Sequence, residues 1–564
     1  WCLGFGTTWP STYTNVSLPA DTYGISDNCF GQYGFNFTGN IGLNDDIEYI
    51  GEEAFATISA TSITGTPKKL KSIGKKAFYN CSLLTSSNLF IPNTIEKIGE
   101  SAFEGCINLT KLSIDQDINR TTKCEIDKRA FYGCNRLAGW LRIPTYVSKI
   151  GLQAFYGCTS FSKEAGTDFL YSTDEEQGYN HWLIGDVSGT STQYQIIVHA
   201  STYGIAGGAF LNSSNVRELW IANTKIIGEY AFSGCTNLKD VDLSSESLTT
   251  IDDYAFNGCT SIAKLPLEND KVQKSLTTIG VAAFKDCSSM AGKLTISKNV
   301  EHVGNYAFQG CSSLTDTITI NGSDNFDMSS YNMFANCSNV KKVEILNNNV
   351  KTIGTYTFLN CTSLSSITLP DSIETIKSNA FELCSSLEKI VIPQNTKIIE
   401  DSAFKNCSKL SELTLNDKLE KIGSNVFESC YNLTGTIVFP KTIKEIGKES
   451  FANDFNIERM IFQNIEPPKM GYSWLSFENP NMETIIQIPY GGLQDYFDGN
   501  VSVKTESIEY YPIQTFKFKL KPGQSSTIFA VKDADKKYDL FQVEINEYSS
   551  KAVQFTIESA NDQP

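Results

Sequence analysis

The feature that most constrains this chain is a segment spelled Ile-x-x-Ile-Gly-x-x-Ala-Phe-x-x-Cys-x-x-Leu-x-x-Ile-x-Ile-Pro, which recurs along most of its length. The Phe is the easiest anchor to follow. Sixteen are present: Phe55, Phe78, Phe103, Phe131, Phe155, Phe210, Phe232, Phe256, Phe284, Phe308, Phe334, Phe358, Phe381, Phe404, Phe427 and Phe451. They are separated by 22 to 28 residues except for one gap of 55, between Phe155 and Phe210. A period in the twenties means a solenoid, in which each repeat is one supersecondary unit stacked on the last. Without the repeat, 564 residues at roughly 100–200 per domain would call for about three or four separate domains.

One unit, Leu364 to Leu387, shows what a coil is made of. Leu364-Ser-Ser-Ile367-Thr-Leu369-Pro370 alternates apolar and polar and reads as a short strand ended by Pro. Ile373-Glu-Thr-Ile376 reads as a second extended piece, and Ser378-Asn-Ala-Phe381-Glu-Leu-Cys384 has the length and composition of a short helical turn. A single coil is a thin slab that cannot bury Leu364, Ile367, Leu369, Ile373, Ile376, Phe381 and Cys384 on its own. Stacking at about 4.8 Å per coil aligns these residues into apolar ladders, and sixteen to eighteen coils give an arc on the order of 80 Å.

The unit resembles the Treponema-type, or BspA-like, class of leucine-rich repeat found in surface proteins of oral and gut bacteria and of anaerobic protists. The likeness covers roughly residues 46–500. The expected fold is therefore an α/β solenoid, a leucine-rich repeat arc of about 16–18 coils over residues 46–504. Two departures also resemble habits of that family. The long gap, about residues 165–200, contains Phe169-Leu-Tyr, Trp182-Leu-Ile-Gly and Tyr194-Gln-Ile-Ile-Val and resembles an inserted hairpin. The stretch at about 463–504, from Glu466-Pro-Pro through Ile486-Gln-Ile-Pro to Tyr496, resembles a closing segment.

Residues 1–45 precede the first clear unit and are expected to cap the open apolar end of the stack. Residues 505–564 lose the repeat. Phe516-Lys-Phe-Lys-Leu, Ser526-Thr-Ile-Phe-Ala-Val, Leu540-Phe-Gln-Val-Glu-Ile and Ala552-Val-Gln-Phe-Thr-Ile alternate with period two, which predicts a small all-β module of about four strands.

Thirteen of the sixteen cysteines lie three residues after an anchor Phe, from Cys81 to Cys430. A small apolar thiol at the same inward corner of every coil is core packing, and parallel side chains along a ladder have the wrong Cβ geometry for disulfides. Zinc sites need Cys pairs at short spacing, which this regularity does not offer. Cys2 and Cys29 are expected to staple the N-terminal cap in an oxidising compartment, and Cys124 is left over.

With 47 basic against 63 acidic side chains the net charge is −16, which disfavours nucleic acid as a partner. No window approaches a membrane span, and a chain that opens at Trp1 without a leader reads as a mature or truncated ectodomain. Asn-x-Ser/Thr occurs at Asn15, Asn36, Asn80, Asn108, Asn119, Asn212, Asn321, Asn336, Asn360, Asn406, Asn432 and Asn500. Four of these, Asn80, Asn336, Asn360 and Asn406, come from the repeat's own Asn-Cys-Ser/Thr spelling. Asn15, Asn36 and Asn119 fall outside it, which favours a glycosylated surface protein of a eukaryotic microbe over coil-edge asparagines in a bacterium.

No catalytic constellation assembles. There is no Gly-x-Ser-x-Gly elbow, no phosphate-binding Gly loop and no His-Glu-x-x-His, and His181, His199 and His302 are the only histidines. The acidic run Asp533-Ala-Asp-Lys-Lys-Tyr-Asp539 lacks the turn Gly and terminal Glu of a calcium loop, so it reads as a solvated turn, as do Asp45-Asp46 and Asp324 to Asp327. No enzyme activity, cofactor or metal is expected. Outward strand positions are mostly small and Thr-rich, with Trp140/Arg142 and Glu218/Trp220 as the exceptions flanking the insertion. Either these tryptophans meet a partner, or they pack against the hairpin with Tyr171, Tyr179 and Trp182. The resemblance implies a non-enzymatic cell-surface or extracellular protein that recognises or adheres to proteins or glycans. The alternative is a structural subunit of a surface coat or fibre, assembled head to tail.

Overall fold

The computed structural model describes residues 12–31, 36–85, 89–117, 120, 122–163, 167–173, 180–454, 456–464 and 468–471, together with the strands at 485–489, 513–518, 527–529, 542–544 and 555–558. The chain divides into two compact units, Trp1–Ser289 and Met290–Pro564, built from the same coil. The fold is a leucine-rich repeat β-solenoid of about 18 turns with almost no helix.

Each coil contributes two short strands to two parallel sheets. In the second unit Ser366–Thr368 is the outward strand, and Thr375–Ile376 follows after the turn at Pro370. Register is kept from coil to coil: Ile353, Ile376, Ile399, Ile422, Ile446 and Met470 stand in one row. The five isoleucines of that row are fully buried. A one-residue slip would turn the whole row outward, so the period-two pattern fixes the register.

The return segment corrects the expected helical turn, and with it the α/β class. Among the described residues the one α-helix is Asp270–Ser275, six residues long. In the return, every fourth residue is left-handed: Tyr356 at φ 57°, Asn360 at 57°, Asn379 at 58°, Leu383 at 61°, Ser402 at 57° and Asn406 at 61°. A right-handed helix cannot propagate through such residues. The N–H groups alternate instead. Ala380 donates to Lys377 O at 3.3 Å, Glu382 to Asn379 O at 3.2 Å and Cys384 to Phe381 O at 3.1 Å, each closing a tight turn. Between them, Asn379 donates to Asp401 O at 3.0 Å, Phe381 to Ala403 O at 2.7 Å and Leu383 to Lys405 O at 2.9 Å, all in the next coil. The return is thus a stack of turns hydrogen-bonded along the array.

This geometry also explains the repeat's asparagines. Asn80, Asn336, Asn360 and Asn406 are all left-handed, at φ 53°, 62°, 57° and 61°, immediately before a ladder Cys. Asn tolerates that conformation better than other side-chain-bearing residues. The Asn360 amide also donates to Asn336 Oδ1 at 2.9 Å, which links neighbouring coils.

Inside, the anchor rings stack face to face. Centroids are 5.4 Å apart for Phe358 and Phe381 at 10°, and 5.0 Å for Phe78 and Phe103 at 5°. The ladder cysteines are buried beside them. Their thiols are donors as well as fillers: Cys361 donates to Phe334 O at 3.3 Å, Cys384 to Phe358 O at 3.2 Å and Cys407 to Phe381 O at 3.3 Å. The Phe358 carbonyl also accepts the Cys361 N–H at 3.2 Å, so both its lone pairs are used. Burial pushes the thiols of Cys134, Cys235 and Cys361 up to about 12. Cys124, off the ladder at the start of the strand Cys124–Ile126, is also buried and pushed up to about 12. Cys2 lies outside the described residues, and Cys29 is buried.

At the last anchor the ladder changes chemistry. Asp454 takes the place of the thiol three residues after Phe451; it is fully buried, with the Cys430 backbone N–H beside its carboxyl. Burial raises its pKa well above the usual carboxylate range.

Coil geometry begins upstream of residue 46. Gly24–Ile25 pairs in parallel with Tyr49–Ile50, Asn28 is left-handed at 55°, and Phe30 N–H donates to Ala54 O at 2.7 Å. The Phe30 ring stacks on Phe55 at 5.0 Å, adding a rung before the sixteen anchors read from the repeat. Within the long gap, Leu170–Thr173 and Asn180–Gly185 form an antiparallel hairpin. Its second strand pairs in parallel with Gly204–Ile205 and so stands in for a coil strand. The Phe stack breaks there: Phe155 meets Phe161 edge-on at 6.4 Å, and Phe169 meets Phe210 edge-on at 4.9 Å. At the other end the outward sheet runs from Gly435–Phe439 through Ile457–Phe462 to Ile485–Pro489, all parallel, and then reverses. Ile513–Phe518 joins antiparallel and Phe555–Glu558 follows it, while Thr527–Phe529 and Gln542–Glu544 pair separately.

Three predictions follow from the ladders. Phe358→Ala should cost roughly 3–5 kcal/mol in chemical denaturation, as large-to-small core changes do, and a loss below about 1 kcal/mol would remove Phe358 from the core ladder. The thiols of Cys134, Cys235 and Cys361 hold protons that the unfolded chain releases above its ordinary value near 9. Stability should therefore fall as pH rises from about 9 towards 12, by about 1.4 kcal/mol per pH unit for each thiol, read by circular dichroism alongside thiol labelling. For Asp454 the raised pKa means that its neutral form suits the fold and its stability contribution is lost as pH rises above about 4. Asp454→Cys should accordingly stabilise the protein by about 1–3 kcal/mol at pH 7, with the gain shrinking in acid; an unchanged pH profile would sink this assignment.

Candidate functional site

In an array of near-identical coils, outward residues form columns, and a site arises where a column departs from the norm. In the first unit three parallel strands, Gln195–Ile197, Glu218–Trp220 and Asp240–Asp242, make such a departure. Ile196 and Leu219 at their centres are fully buried, which turns the alternate residues outward. Register aligns Gln195, Glu218 and Asp240 in one column and Ile197, Trp220 and Asp242 in the next. The Gln195 amide donates to Glu218 Oε2 at 2.7 Å. In the second column Ile197 is 61% and Trp220 43% exposed, and Tyr194, just before the first strand, is 59% exposed.

Of the four residues picked from sequence, Glu218 and Trp220 share this sheet. Trp140 and Arg142 lie on the coil before the insertion, next to the isolated bridge between Gly139 and Phe161. Trp140 is 51% exposed and Arg142 half-buried. Among the described residues of the hairpin, Tyr171 and Trp182 are buried, and Trp182 meets Tyr203 edge-on at 5.5 Å. Tyr179 lies outside the described residues. Tyr194 and Ile197 were not singled out because Ile196, Ile197 and Val198 form an unbroken apolar run that hides the alternation. Aligning the run on Glu218-Leu219-Trp220 would have revealed it.

The acidic runs take structural roles. Asp45 and Asp46 pair with Lys68 and Lys69 of the next coil at 2.8 and 2.7 Å. Asp324 accepts from the Asn349 amide at 3.2 Å, and Asp327 accepts from the N–H of Ser329 at 3.1 Å. Asp533 to Asp539 lies outside the described residues. Among the described residues no group of three or more His, Cys, Asp or Glu side chains converges as a metal site, and no helix is long and apolar enough to cross a membrane.

The candidate glycan acceptors differ in setting. Asn15 and Asn432 are exposed, and Asn321 is half-buried. The Asn108 amide donates to Ser82 O at 2.7 Å. Asn212 is left-handed at 59° and exposed. The side chain of Asn36, and all of Asn119 and Asn500, lie outside what is described.

The chain matches the model of the BspA type leucine rich repeat region, in six copies, over residues 10–137, 124–170, 203–333 and 327–458. No curated protein matches it. Among solved structures it is similar to a leucine-rich repeat protein from Bacteroides ovatus, at 23% identity over 56% of this chain and 92% of that one, with a TM-score of 0.36. It is also similar to the leucine rich repeat protein of T. pallidum, at 24% identity over 32% of this chain and 72% of that one, TM-score 0.25. A leucine rich cell surface protein from Faecalibacterium prausnitzii matches at 20% identity over 63% of this chain and 87% of that one, TM-score 0.28. With the family match running through the same coils whose ladders are described above, this chain belongs to the BspA type leucine-rich repeat family.

Proposed function

We propose that the protein is a non-enzymatic recognition protein of the cell surface or extracellular space that holds protein or glycan partners on its outward strand face. The observation that carries this reading is the exposed pair of Ile197 and Trp220, side by side on a sheet whose register is fixed by buried neighbours. Large aromatics held rigidly at low entropic cost are what binding hot spots use. Trp140, Arg142 and Glu218 extend the candidate surface, and N-glycans at exposed acceptors such as Asn15 and Asn432 fit an extracellular setting. The surface location also draws on a similar protein named as a cell surface protein. The head-to-tail fibre is less favoured, since the antiparallel strand Ile513–Phe518 is a poor template for a following parallel coil.

The test is binding of the intact chain to broad protein and glycan arrays, repeated with Trp220→Ala. Binding should weaken by about 2 kcal/mol while the melting temperature stays put. A drop in melting temperature would make Trp220 a packing residue. Absence of binding to either array would end the recognition reading.

A further inference from the structure

The outward face of the sheet formed by Gln195–Ile197, Glu218–Trp220 and Asp240–Asp242 carries an indole among carboxylates. Ile197, Trp220, Asp240 and Asp242 are exposed, and Glu218 is half-buried. In-register parallel strands lie about 4.8 Å apart, so Ile197 and Asp242 stand one spacing to either side of Trp220. Glu218 precedes Trp220 by two residues on the same strand, about 7 Å along it, and Asp240 is one spacing from Glu218. One indole is thus bordered by an aliphatic side chain and two carboxylates, all within reach of a single long side chain laid across it.

Neutral groups hold the two carboxylates that border Trp220. The Gln195 amide donates to Glu218 Oε2 at 2.7 Å, and the Ser244 N–H donates to Asp242 Oδ1 at 2.9 Å. Such donors fix the anions without cancelling their charge. Among the described residues Glu218, Asp240 and Asp242 form no ion pair, not even with Arg217, Lys239 or Lys264, the basic residues nearest in sequence. Outward carboxylates of the second unit are paired instead: Glu344 with Lys342 at 2.5 Å, and Glu412 with Lys389 at 2.5 Å. The three acids of the first unit do not converge on one point, as a metal ion would require. Their complement is a cation carried on a side chain. A guanidinium is planar and weakly hydrated, stacks on aromatic rings, and meets carboxylates with a fork of donors, so it suits an indole between two carboxylates better than an ammonium does. We infer that Trp220, Glu218 and Asp242 form a seat for an arginine of a partner protein, with an apolar residue of that partner beside it on Ile197. The inference rests on the recognition reading and adds the chemistry of the partner: the indole and Ile197 take the apolar stem, and the fixed carboxylates select the charge.

The test is selection of phage-displayed random dodecapeptides on the full-length chain, followed by titration of synthetic peptides. Selected sequences should share an arginine next to an apolar residue, and binding should weaken as salt rises. Replacing that arginine by citrulline, which keeps the shape and removes the charge, should weaken binding by about tenfold or more, and replacing it by lysine by several-fold. Trp220→Ala should cost about tenfold. Should that variant melt early, the near-isosteric pair Glu218→Gln with Asp242→Asn tests the same seat without removing a ring: it should weaken the arginine peptide and leave it no better than its citrulline form. Peptides without arginine, an arginine peptide matched by its lysine or citrulline form on the unmodified chain, peptides indifferent to the carboxylate pair, or failure to select any peptide would overturn the inference. Glycan binding that is lost in Trp220→Ala but unchanged in Glu218→Gln with Asp242→Asn would overturn it too, yet leave the recognition reading standing.

Discussion

Everything in this fold depends on where the return segment sends its backbone N–H groups. Half of them close turns within the coil; the other half, such as Asn379, Phe381 and Leu383, have their acceptors only in the following coil. Phe381 among them is fully buried, and a buried amide without an acceptor costs about 1–3 kcal/mol. A coil is therefore incomplete without its successor, in polar terms as much as in apolar ones. The left-handed residue at every fourth position makes this arrangement possible, because it prevents the donors from being consumed in a local helix.

The same constraint accounts for the cysteine ladder better than packing volume alone. An alanine would leave the second lone pair of each Phe carbonyl empty, and a serine would bring a more strongly hydrated hydroxyl into the core. The thiol is a weak donor that tolerates apolar surroundings, so it satisfies the carbonyl with little desolvation cost. Asp454 shows the limit of substitution at this corner. Burial there favours the neutral acid over the carboxylate, a proton balance that a thiol at this corner does not face at neutral pH.

Much of this was legible in the sequence because the strongest signals repeat. Sixteen Phe anchors and thirteen Cys in fixed phase leave little freedom for the core, and both ladders are where the spacing put them. The return segment was misread as helical because Ser378-Asn-Ala-Phe-Glu-Leu-Cys384 is compatible with a helix by composition. The contrary signal was the residue before each Cys, so often Gly or Asn, as at Gly258, Gly310, Asn336 and Asn360, which favours left-handed backbone. The rung at Phe30 escaped notice because Cys29 replaces the usual Ala and no Cys follows three residues later, although Ile25 keeps the same five-residue lead on Phe30 that Ile50 keeps on Phe55. At the candidate surface, residue type pointed to Trp140 and Trp220 but could not show that Trp220 shares a sheet with Ile197 while Trp140 lies on the other side of the insertion. That information is in the strand pairing, which an inserted hairpin rearranges.

A regular array poses a problem for specificity, because adjacent coils present nearly the same outward residues and a partner could bind in several registers at similar free energy. Recognition of one partner in one register needs a place where the columns are broken. Here the break coincides with the insertion. The hairpin strand takes one rung, the Phe stack is interrupted on either side of it, and the next outward strand, Gln195–Ile197, begins a new three-stranded sheet among the described residues, with Ile197 exposed. The same interruption that costs the core a continuous Phe ladder thus lies beside the exposed pair of Ile197 and Trp220. The neighbouring coils supply rigidity, since Ile196 and Leu219 hold the face in place from below. Stability and recognition are in this way assigned to alternate residues of the same strands, so the outward set can vary without disturbing the inward one.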